Sequence, residues 1–225
     1  QPSPEPERRP SASAGSAGPR QPTSAAGASV KSRASSAPSK GQSSTACCDL
    51  YRPAQALLQP DLGPKARARA LASVELALQR GASPHSWRGP GTPLQGGVEA
   101  RCPELVAALL RAHGSPSERD AKGVSLLHLA AFDGQADICR ALLEARASAN
   151  GTDCHGQTPL FFAPSRPVCE LLYRSYADMN ATNRKGQSAL HLAGRAGLGD
   201  VLTWLSGRVS RALVSLRDAN GAVAA

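Results

Sequence analysis

Aromatic residues are scarce in this chain, with three Phe, three Tyr and two Trp among 225 residues, or 4%. Alongside 41% hydrophobic content, that scarcity favours packing through Ala and Leu over a large globular core built around rings. No apolar run approaches the roughly 18 residues that would cross a bilayer, so no membrane-spanning segment is expected. Acidic residues are also few, 17 against 26 Lys and Arg, which leaves a formal net charge of +9. Missing too are a Gly-rich phosphate loop after a strand, an isolated acidic pair, and any Ser/His/Asp or Cys/His set outside repeated positions. Catalysis is therefore not expected, no cofactor is implied, and the functional expectation moves toward binding.

Residues 1–46 contain no Leu, no Ile and no aromatic, and a single Val30. Such a segment cannot bury enough apolar surface to offset its ordering entropy, so it reads as a disordered Ser/Pro/Ala-rich basic tail. Arg8, Arg9, Arg20, Lys31, Arg33 and Lys40 against Glu5 and Glu7 give it +4, leaving +5 on the rest. Pro2, Pro4, Pro6, Pro10, Pro19 and Pro22 argue against the amphipathic helix of an organelle transit peptide. Lys31-Ser32-Arg33-Ala34-Ser35-Ser36 is a candidate phosphorylation site, where added phosphate would offset the local basic charge.

The six cysteines do not read as a disulfide framework. Cys139 and Cys169 follow Ile138 and Val168 in equivalent places, so they are expected to pack at a helix interface as small buried residues. Cys47-Cys48 sits at the edge of the tail and Cys102 in a loop. Free thiols and the lack of a signal peptide point to a reducing compartment, cytoplasmic or nuclear. Asp153-Cys154-His155 offers three types of metal ligand, but adjacent side chains at a turn tip diverge, and no metal site is expected.

What the chain does have is one phrase written four times: Thr92-Pro93-Leu94, Ser125-Leu126-Leu127, Thr158-Pro159-Leu160 and Ser188-Ala189-Leu190. Leu94 to Leu127 and Leu127 to Leu160 are both 33 residues, whereas Leu160 to Leu190 is 30. A period of this size implies a solenoid whose units bury their stripes against one another. In the second unit, Leu127, Ala130 and Ala131 give a first helix a small apolar face, and Ile138, Ala141, Leu142 and Leu143 give a second helix its stripe. Gly123 suits a turn of positive φ, Ser125 a helix start, and Gly134 a helix end. The third unit has lost its three positions between Leu160 and Val168, beside Pro164 and Pro167. Three residues are about one helical turn, so its first helix should be short and the surface notched there.

This phrase resembles the ankyrin repeat. Asp120, Gly123, Leu127, His128, Ala130, Ala131, Gly134, Leu142, Leu143, Ala147 and Asn150 stand in register with that family's pattern. So do Asp153, Gly156, Thr158, Pro159, Leu160, Ala163, Leu171, Leu172, Ala177, Asp178 and Asn180 in the next unit, and Gly186, Leu190, His191, Ala193, Gly197 and Leu205 in the one after. The unit before is weaker, with Gln95 where the family has His and Gly96-Gly97 in place of helix formers. The resemblance implies that His128 and His191 are structural, bonding locally before the helix, and that Phe161 replaces that bond with packing in the third unit. It also associates Asn150 and Asn180 with hydroxylation, against the default that such an Asn bonds backbone groups and sets its turn.

The resemblance implies a concave binding surface formed by the turn tips and the exposed side of the first helices. By register the tips are Arg88-Gly89, Ala121-Lys122, Cys154-His155 and Arg184-Lys185, each with a cation or histidine. Stacked, they would form a positive stripe diluted by Asp120 and Asp153, suited to an acidic or phosphorylated protein partner. Nucleic acid is disfavoured because the tips lack interleaved aromatics. The first helices add Leu129, Phe132, Asp133, Phe162, Leu192 and Arg195, with Phe132 and Phe162 as candidate anchors. Candidate partner-binding residues are thus Arg88, Lys122, Phe132, His155, Phe162, Arg184, Lys185 and Arg195.

The expected protein is an all-α ankyrin-repeat solenoid of stacked helix-turn-helix units with a disordered N-terminal tail. Its expected divisions are 1–46, tail; 47–84, helical lead-in or degenerate repeat; 85–217, about four repeats; and 218–225, the start of a further repeat. Gln1 in place of Met and the opening of a repeat at Arg217-Asp218-Ala219-Asn220 read as marks of a fragment. The expected function is that of a non-catalytic, monomeric protein-binding module. The alternatives are a regulatory segment of a larger enzyme or channel, and a basic adaptor contacting anionic membrane or nucleic acid through its tail.

Overall fold

The computed structural model describes residues 42–59, 61–85, 91–219 and 221–223. The tail up to residue 41, with its candidate phosphorylation site, and the tip at Arg88 lie outside the described residues. Helices follow in pairs: α1 (Gln42–Leu57) with α2 (Pro64–Gln79), α3 (Pro93–Glu99) with α4 (Pro103–Arg111), and α5 (Leu126–Phe132) with α6 (Ala136–Glu144). A 3-10 turn, Pro159–Phe162, then stands before α7 (Arg166–Arg174), followed by α8 (Ala189–Arg195) with α9 (Gly199–Ser206) and the short α10 (Arg211–Val214). Helix α1 begins inside the stretch that composition assigns to the tail.

Two rows run through the stack. The first helices α3 and α5, the 3-10 turn and α8 pack in sequence, and the second helices α4, α6, α7 and α9 form the other row. Helix α2 lies on α4 and α1 on α3, so the lead-in hairpin stands in both rows as a repeat would. Leu105, Leu109, Leu127, Leu142, Leu172 and Leu190 are fully buried between the rows. Each contributes roughly 1.5 to 3 kcal/mol by burial, and none has a partner surface within its own helix, so stability accumulates between neighbours. Cys139 and Cys169 are buried in equivalent places, where desolvation pushes their thiols up to about 12 and about 11. Cys102, expected in a loop, stands in the loop residue just before α4 and is also buried. Among the described residues no helix is long and apolar enough to cross a membrane.

The turns carry the expected local chemistry. Gly123 has φ +77° and Gly134 φ +70°, both in the left-handed region that favours glycine. In the second unit the His128 ring accepts from the Ser125 amide at 3.1 Å and lies 2.7 Å from its hydroxyl. The other ring nitrogen donates to the Gln157 carbonyl at 3.1 Å, which fixes the neutral tautomer with the proton on Nε2. His191 repeats this with Ser188 and the Leu216 carbonyl. Both histidines therefore bond locally and also reach forward to the next hairpin. In the third unit Phe161 is buried in the ring's place, and the buried Thr158 hydroxyl has no hydrogen-bond partner among the described residues.

Candidate protein-binding face

The tips are two-sided hairpins closed by isolated bridges at Arg119 with Ser125 and Thr182 with Ser188. A carboxylate or amide oxygen organises each from within. Asp120 accepts from the amides of Lys122 and Val124, Asp153 from His155 and Gln157, and Asn183 from Lys185 and Gln187. Asp153 is only 8% exposed, so it serves its turn and dilutes the outer charge less than its position in the sequence suggests.

Backbone bonds tie successive tips together. The Cys154 amide donates to the Lys122 carbonyl at 2.8 Å, Arg184 to His155 at 3.0 Å, and Ala219 to Lys185 at 3.0 Å. This ladder holds Lys122, His155, Arg184 and Lys185 in one row, all exposed. Arg119, which sequence reasoning passed over, donates across units to the Thr152 carbonyl at 2.9 Å. Its recurrence before a tip Asp, as in Arg119-Asp120 and Arg217-Asp218, was the available signal. Asn150 and Asn180 also act between units. Asn150 donates to Tyr176 and accepts from the Asp178 amide, and Asn180 accepts from the Ser210 amide.

On the first-helix side the two rings differ. Phe132 is 66% exposed. Phe162 is half-buried, edge-on to His128 at 5.9 Å and to Phe132 at 6.5 Å between centroids. It is thus a wall more than a free anchor, because the 3-10 turn draws it back toward α5. Asp133 pairs with Arg101 at 3.5 Å, whereas Arg195 is exposed with no carboxylate partner among the described residues. The expected notch is present as a cavity of about 340 Å3 between the 3-10 turn and α8, lined by Phe162, Pro164, Leu192, Arg195 and Leu198. A second cleft of about 870 Å3 continues past Pro164 to the starts of α7 and α9. Sequence reasoning missed its wall, where the Arg208 guanidinium lies 4.1 Å from the Trp204 ring centroid and Tyr173 stands edge-on to Trp204.

Paired helices in two rows, with hairpin tips laddered along one edge, define a helical repeat solenoid with an extended exposed edge. Residues 94–183 match the family of ankyrin repeats in three copies, and ankyrin repeats are a general protein-interaction module. Over 126 residues it is 33% identical to the E3 ubiquitin-protein ligase KEG of Arabidopsis thaliana, covering 53% of this chain and 7% of that protein. Over 112 residues it is 33% identical to Dauer abnormal formation protein 25 of Caenorhabditis elegans, covering 48% and 29%. Over 83 residues it is 40% identical to Neurogenic locus notch homolog protein 1 of Mus musculus, covering 35% and 3%. The chain thus spans less than a third of the length of these relatives.

Proposed function

We propose that this chain is a non-catalytic, monomeric module that binds an acidic segment of a protein partner along the tip row and the first-helix face, in a cytoplasmic or nuclear setting. The observation that carries this reading is the backbone ladder that fixes Lys122, His155, Arg184 and Lys185 in one exposed row, together with the exposed Phe132 ring at the end of α5. A fixed row of cations speeds encounter with an acidic partner and sets its register, while a ring supplies burial. The four free thiols among the described cysteines, Cys102, Cys139, Cys154 and Cys169, support the reducing compartment. Charge reversal by Lys122→Glu, Arg184→Glu and Lys185→Glu should weaken capture of the partner and flatten its salt dependence. Unchanged capture by the folded variant refutes the reading, and light scattering showing a stable dimer refutes the monomer.

A second reading, in which the repeats regulate a larger enzyme, draws on the similarity to a protein named as a ubiquitin ligase. Expression of the full reading frame with and without these residues tests it.

A further inference from the structure

The three-residue loss in the third unit leaves space on one side only. Pro164 leans back onto the second unit, where a Cβ at Gly134 would meet its Cγ at 3.3 Å. The gap therefore opens toward the fourth unit, as the cavity of about 340 Å3 floored by Leu160, Ala189 and Val201. This is within the range of roughly 300 to 1,000 Å3 usual for ligand pockets. Its walls are already set, because Phe162 is held edge-on by His128 and Phe132. Among the described residues one charged side chain lines the cavity, that of Arg195, a cation with no carboxylate partner among them.

We propose that this notch is the specificity seat of the groove, taking an apolar side chain of a protein partner whose neighbouring residues are carboxylates that reach Arg195. The inference rests on the groove reading above and assigns it a pocket and a polarity. Arg184 and Lys185 stand on the same unit as Arg195. The far end of the face has a cavity of about 350 Å3 whose lining sets three carboxylates, Glu99, Glu118 and Asp120, against one cation, Arg119. A uniformly acidic segment laid along the whole face meets repulsion there, so the carboxylates belong over the third and fourth units. The chain's own basic tail, without Leu, Ile or aromatic residues, has neither the anchor nor the charge for this seat.

The test pans a phage-displayed random dodecapeptide library on the immobilised full chain. Parallel targets are Ala196→Trp, which fills the cavity from an exposed position on its lining, Arg195→Glu, and the tip variant Lys122→Glu, Arg184→Glu, Lys185→Glu. Circular dichroism confirms the fold of each. Expected peptides carry Leu, Ile or Phe beside Asp or Glu. Ala196→Trp should cut their recovery about tenfold, equivalent to about 1.4 kcal/mol, and Arg195→Glu should exchange the acidic preference for Lys or Arg. Recovery lost on the tip variant but kept on Ala196→Trp and Arg195→Glu overturns the notch and leaves the groove reading standing. Recovery kept on all variants, or no enrichment on the parent, overturns both. Self-association of the full chain that Ala196→Trp abolishes would put a second copy in the notch and overturn the proposed occupant.

Discussion

The second and third units open with the same phrase and close on the same leucine stripe, yet one builds the seven-residue helix α5 and the other a four-residue 3-10 turn. Leu142 and Leu172 are both fully buried, so the loss leaves the second-helix row intact and falls on the first-helix row. At the turn the two units part again. His128 satisfies Ser125 and Gln157, while Phe161 fills the same place and leaves the Thr158 hydroxyl without a partner among the described residues. A solenoid can thus lose a turn from its exposed row at little cost to its core, and the lost turn becomes surface relief.

The largest expected effects test the part the two units share. Leu142→Ala and Leu172→Ala should each cost about 2 to 5 kcal/mol in chemical unfolding. A much smaller cost at Leu172 would show that the shortened unit is poorly packed and would break the equivalence. Next comes the difference at the turn. His128→Ala should cost about 1 to 3 kcal/mol, because it strands buried polar groups on two units. Thr158→Val should be neutral within about 0.5 kcal/mol or stabilising, since the hydroxyl it removes has no partner to lose.

A smaller effect follows from pH. Burial holds the His128 imidazole below its ordinary range, outweighing the Gln157 carbonyl bond and the pull of Asp153 and Asp120, with Arg119 adding to the lowering. The unfolded chain takes up its proton near about 6.5 while the native ring resists it, so the unfolded state binds more protons in that window. Stability should be unchanged above this value, fall as pH drops below it, and level off beneath the native pKa. Equilibrium unfolding of wild type and His128→Asn across that window checks the sign, and identical slopes would remove His128 as the cause. The smallest effect is expected at the tips, where Arg184→Glu or Lys185→Glu should change stability by less than about 0.5 kcal/mol.

Much of this fold was legible in the sequence because the repeat phrase fixes each helix start and each buried stripe at a set interval. Leu127, Ala130, Ile138 and Leu142 could be placed by period alone. The shortened first helix followed from counting Leu160 to Val168. Apart from the recurring Arg119, inter-unit bonds were not legible. Asn150 reads as the setter of its own turn, but its partners, Tyr176 and Asp178, are in the next unit, and pairwise registers between units leave no local pattern. Phe162 reads as exposed by helical spacing, and a 3-10 turn places it differently from the α-helix that such spacing assumes. The inward engagement of Asp153 was hidden for a related reason, because composition reports charge and says nothing of where an oxygen points.

The most direct test compares capture on the two faces of the full chain. One variant carries Phe132→Ser, Lys122→Glu and Arg184→Glu on the tip and first-helix side. The other carries Arg140→Glu and Arg174→Glu at exposed positions of the second-helix row. The account predicts that partners bound by wild type are lost by the first variant and kept by the second. Partners kept by the first and lost by the second would contradict it.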